Sequence, residues 1–117
     1  MNKFSPNQKT FNKVARHLLK QNCKSIMPNT SVCAYRGENK TRCAIGALIP
    51  DRLYSMDLEN STPFCENVRA ILSGLGYKDV EFNCSLQKIH DNNDPKNWRV
   101  ALEEFAEENN LVWPKGL

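Results

Sequence analysis

Apolar residues Phe11, Val14, Ala15 and Leu18 recur at helical spacing and predict a first helix over Pro6–Gln21. Ser5 is the expected N-cap, with Pro6 at the first helical position. Pro28 and Asn29 then mark a loop. From Ser31 to Gly46 the pattern shifts. Val32-Cys33-Ala34-Tyr35 and Cys43-Ala44-Ile45 read as strands, and Gly37-Glu38-Asn39 supplies a turn, which together predict a β-hairpin. That register places Cys33 opposite Cys43, with Cys33, Tyr35, Cys43 and Ile45 on one face. Pro50-Asp51 leads into a short helical turn, and Thr62-Pro63 opens a helix carrying Phe64, Val68, Ile71, Leu72 and Leu75. A shorter helix holds Leu86, Ile89 and His90 and ends near Asp91-Asn92-Asn93. Asp94-Pro95 starts the last helix, whose buried face is Trp98, Ala101, Leu102, Phe105 and Ala106. Leu111-Val112-Trp113-Pro114 is expected to fold back as an apolar tail. The fold class that follows is α+β, mostly α-helical. About four helices pack around a two-stranded antiparallel hairpin in one domain over residues 1–117.

Composition changes this picture little: 40% hydrophobic and 25% charged residues suit an ordinary globular chain. No apolar run approaches the roughly 20 residues that cross a bilayer, so no membrane association is expected. The polar start carries no apolar signal core, which points to the cytoplasm, and five cysteines without such a signal read as reduced thiols. Charge is the informative bulk property. Residues 1–52 hold ten Lys and Arg against two acids, and residues 53–117 hold six against eleven.

Three sets of residues carry candidate chemistry. Lys9, Lys13, Arg16, Lys20 and Lys24 form a basic stripe opposite the apolar face of the first helix. It suits nucleic-acid phosphates, although solvated helix faces often look the same. Tyr35, Arg36, Lys40 and Arg42 crowd the expected hairpin tip, where a phosphate, a nucleotide or an acidic protein surface would meet the planar guanidinium donors. A tip that merely solubilises the hairpin has the same composition. Cys33 or Cys43 with His90-Asp91 offers a thiol, a base and an acid. Free cysteines are usually buried apolar residues, so these atoms are expected to serve packing and no catalytic residue is assigned. The cysteines contain no C-x₂₋₄-C pair, and neither a metal nor a cofactor is expected. Glu103, Glu104, Glu107 and Glu108 line the outer face of the last helix as a solvated acidic surface.

Cys33-Ala34-Tyr35-Arg36-Gly37, Arg42-Cys43-Ala44-Ile45-Gly46-Ala47-Leu48-Ile49-Pro50-Asp51 and Leu86-Gln87-Lys88-Ile89-His90-Asp91 resemble a family of small, mostly uncharacterised bacteriophage and prophage proteins. The resemblance implies a phage-encoded accessory protein acting in the host cell cytoplasm by binding and inhibiting a host or defence protein. The expected activity is therefore non-enzymatic binding of a host or host-defence macromolecule. The alternatives are capture of a phosphorylated signalling nucleotide at Tyr35, Arg36, Lys40 and Arg42, and nucleic-acid binding through Lys13, Arg16 and Lys20.

Overall fold

The first helix, α1, spans Pro6–Gln21 and buries Phe11, Val14, Ala15 and Leu18 completely. The computed structural model describes residues 6–117, so the expected cap Ser5 lies outside the described residues. Each large apolar side chain taken from water stabilises the fold by roughly 1.5–3 kcal/mol, and these four fix how α1 sits. Asn22, with φ 53°, turns the chain out of the helix.

The expected hairpin is absent, which corrects the α+β assignment: among the described residues there are five α-helices and no strand. Residues 32–34 do run extended, but they pair with 25–27. The pairing is a single antiparallel bridge, Ile26 to Cys33, flanked by Met27 N–H to Val32 O (2.7 Å) and Ala34 N–H to Ser25 O (2.9 Å). The next two backbone donors, Tyr35 and Arg36, go to the buried Glu59 carboxylate at 3.1 and 3.2 Å. The backbone bonds a second strand would have made are therefore already taken. The intended second strand winds instead into α2, Ala44–Leu48, all five residues of which are buried. Cys43 caps it, its sulphur accepting the Gly46 N–H at 3.3 Å. Gly46 permits this crossing, since a Cβ there would lie 2.3 Å from the Tyr35 carbonyl oxygen.

Three more helices follow: α3 (Glu66–Gly74), α4 (Val80–Asn92) and α5 (Trp98–Glu108). Asp79 caps α4 through the Phe82 N–H, 3.1 Å away. α2 packs between α1 and α4, and α5 closes the core against both. Trp98 is fully buried and its indole N–H donates to Asn93 O at 3.1 Å. The tail returns to the start of α1, where Gln8 bonds both the N–H and the carbonyl of Val112, each at 2.8 Å, and Trp113 meets Phe11 edge-on at 6.0 Å. No helix among the described residues is long and apolar enough to cross a membrane.

Candidate functional site

The last turn of α4 brings His90 and Asp91 to Cys33 on the returning loop. A sulphur, a ring nitrogen and a carboxylate oxygen lie within 4.8 Å of one another. His90 is fully buried and stacks on Trp98, with centroids 5.4 Å apart. The Ser25 N–H donates to His90 Nε2 at 3.0 Å. A nitrogen that accepts in this way carries no proton, so this network assigns the proton to Nδ1, which donates to Asp91 Oδ1 at 2.8 Å. Gln87 Nε2 donates to the same oxygen at 2.8 Å, and the Cys33 sulphur sits within 4.8 Å of the carboxylate.

The order of groups decides the chemistry. In thiol catalysis the imidazole stands between the thiol and the acid, taking the proton of one and oriented by the other. Here both ring nitrogens are already engaged, Nε2 by the Ser25 N–H and Nδ1 by the Asp91 carboxylate. Burial, then the Asp91 hydrogen bond and charge, push the Cys33 thiol up to about 11. Burial alone would raise Asp91, but the bonds from His90, Cys33 and Gln87 outweigh it and hold its carboxyl below the ordinary value. Cys43 is fully buried and pushed up to about 12, mainly by that burial. Neither thiol is an activated nucleophile near neutral pH. The donor set does not suit a metal ion either. A cation on Nδ1 would have to displace the proton that the Ser25 contact keeps there, and the thiol would have to ionise against its raised pKa.

A cleft of about 240 Å³ opens beside this cluster, walled in part by Cys33, Tyr35, Cys43, Glu59, Gln87 and Asp91. Its polar walls serve the fold. Besides the two backbone N–H groups, Glu59 receives the Tyr54 hydroxyl at 2.6 Å, and the Tyr35 hydroxyl donates to the Ser61 carbonyl.

The residues expected at a hairpin tip are separated by the fold. Tyr35 is buried. Arg36 turns inward to close the end of α2. It donates to Gly46 O at 2.8 Å, Ile49 O at 2.7 Å and Asp51 Oδ1 at 3.0 Å, and its guanidinium lies 4.7 Å from the centre of the Tyr54 ring. Arg42 shares Asp51 Oδ1 at 2.9 Å. Lys40 alone of the four is exposed, in a tight turn where both Asn39 and Lys40 have positive φ.

The basic stripe of α1 is laid out differently. Lys9, Lys13, Arg16 and Lys20 are all exposed and occupy one line along the helix, opposite its buried residues. Neither of the two Arg–Asp ion pairs among the described residues involves them. Lys24 leaves the row, its ammonium donating to Asp91 O at 2.9 Å. Arg16 donates to the carbonyl of Lys115 at 3.3 Å, which brings the exposed Lys115 beside the row. The α5 acids, Glu103, Glu104, Glu107 and Glu108, are equally exposed and make no ion pair among the described residues.

The chain matches no protein-family model, no curated protein and no solved structure. Two participants carried no signal in the sequence. Glu59, in a polar loop, becomes the buried acceptor for the 35–36 backbone, and Lys115, at the end of the tail, joins a face formed by α1.

Proposed function

We propose that the chain acts by binding and not by catalysis, as a phage-encoded accessory protein that engages an acidic macromolecule of the infected cell through the basic face of α1. The observation that carries this reading is the row Lys9, Lys13, Arg16 and Lys20, exposed, aligned and without an acidic partner among the described residues. Such a row raises association rates with an oppositely charged surface and makes the complex salt-sensitive. The phage attribution rests on the sequence resemblance. The arrangement of the Cys33 cluster supports the non-enzymatic part, because burial first, and the neighbouring Asp91 carboxylate second, keep the thiol protonated. The nucleotide alternative loses support, because Tyr35, Arg36 and Arg42 are committed to contacts within the chain.

The test is affinity capture from bacterial lysate with the natural chain and with Lys13→Glu/Arg16→Glu. The natural chain should retain an acidic macromolecule at low salt and release it at high salt, and the folded double variant should retain none. Equal retention by the two proteins, or nothing retained by the natural chain at low salt, would contradict the reading.

A further inference from the structure

We infer that the macromolecule met by α1 is a nucleic-acid duplex, gripped by its phosphates and not read by its bases; this rests on the reading of α1 given above. The row of cations fits a regular line of charge. Lys9, Lys13, Arg16 and Lys20 follow one another at four, three and four residues, a run of about 17 Å at ~1.5 Å per residue. A duplex presents a negative charge about every 1.7 Å of axis, so each cation in the row has a phosphate within reach. The tail adds Lys115 at the side of the row, held there by its own carbonyl on Arg16.

What the face lacks separates a nucleic acid from a protein. Protein interfaces hold through buried aromatic or aliphatic anchors near their centre, where lysine is depleted. The large apolar residues of α1 that make its core face, Phe11, Val14 and Leu18, are fully buried, and the exposed large hydrophobics among the described residues (Val32, Met56, Phe64, Val100 and Val112) all lie outside α1. Phosphates need no such anchor.

Duplex is favoured over single strand for a related reason. Single-stranded binding relies on aromatic rings on which bases stack. No aromatic ring of α1 is exposed, and Trp113 is packed edge-on to Phe11 with the Arg99 guanidinium 5.8 Å from its centre. Base readout is disfavoured as well. It needs unengaged amides or guanidinium forks in a groove. On α1 the amide of Asn7 is turned to Asp79, that of Gln8 to Val112 and to the Asn12 side-chain oxygen, and that of Gln21 to Arg42, while the one guanidinium, that of Arg16, donates to the Lys115 carbonyl. The acids of α5 repel phosphate, so the contact is confined to one side of the molecule.

The experiment is a fluorescence-anisotropy titration of the purified full chain with short DNA duplexes of two unrelated sequences, an RNA duplex and a single strand, over a series of salt concentrations. Four or five neutralised phosphates give a salt slope near −4, so affinity for the duplex should fall about 100- to 500-fold between about 50 and 200 mM salt. The two DNA sequences should bind within a few-fold of one another, and whichever duplex arm binds tighter names the polymer. Lys13→Glu/Arg16→Glu should abolish binding. Lys78→Glu/Lys96→Glu makes the same change in net charge at exposed positions off α1 and should preserve it. Tighter binding of the single strand, equal loss in both double variants, or no duplex binding at low salt would overturn the inference. If duplexes fail to bind while nuclease-treated lysate still yields a protein that depends on Lys13 and Arg16, the nucleic-acid inference falls and the α1 reading stands. If that capture fails too, both fall.

Discussion

Two donors converge on one oxygen of the Asp91 carboxylate, the His90 ring and the Gln87 amide, with the Cys33 sulphur within 4.8 Å. The residue types of a cysteine enzyme were legible in the sequence, but their order in space was not. That order turns on one backbone contact, Ser25 N–H to His90 Nε2, made across 65 positions of chain. It fixes the tautomer, sends the ring proton to Asp91 and leaves the thiol no base. The consequence is measurable by timed alkylation of the native protein near pH 8. Exposed Cys65, whose pKa is lowered chiefly by hydrogen bonding to Thr62, should react first. Cys33, at about 11 against an ordinary 9.0, should react about 100-fold slower than an unperturbed thiol from its thiolate fraction alone. Cys43 should react only as fast as the protein opens. Asp91→Asn removes the negative charge beside the Cys33 thiol but not burial, the first cause of its shift, so alkylation of Cys33 should quicken without reaching the rate of Cys65. Fast alkylation of Cys33 in the natural chain would restore a catalytic reading.

At the level of elements, helical periodicity carried far and strand pattern misled. α1 spans the residues its apolar spacing predicted, because Phe11, Val14, Ala15 and Leu18 bury one stripe and little else competes. The end of α4 at Asn92 and the folded-back tail also follow their sequence signals. The hairpin failed because alternation over three or four residues does not distinguish an extended segment from a buried helical turn. Ala44-Ile45-Gly46-Ala47-Leu48 is apolar throughout, and once Glu59 and Ser25 had taken the facing backbone groups it could bury itself only as a helix. Arg36 then closes that helix, and its role follows from the same correction. Arg36→Ala should cost about 2–4 kcal/mol, the value of hydrogen bonds from a charged donor to buried carbonyls, read as a lowered denaturation midpoint. Arg36→Lys should recover little, because one ammonium cannot reproduce the fork onto Gly46 O and Ile49 O. A full-stability alanine variant would show that α2 needs no such closure.

The whole molecule keeps its charges apart. The sequence announced this asymmetry in its two halves, and the fold expresses it as a basic line on α1 and an acidic face on α5. The sequence did not reveal which cations remain available. Arg36 and Arg42 are drawn to Asp51 and Lys24 to the Asp91 carbonyl, while Lys115 arrives from the far end of the chain. Under the proposed function, recognition falls to the aligned row on α1. The most direct check is lysine acylation followed by mass spectrometry, comparing the purified protein in buffer and in clarified bacterial lysate, with exposed Lys78 and Lys96 as internal references. Lys9, Lys13 and Lys20 should become protected in lysate while Lys40 reacts in step with the references. Protection at Lys40 with none along α1 would contradict the assignment of recognition to that helix.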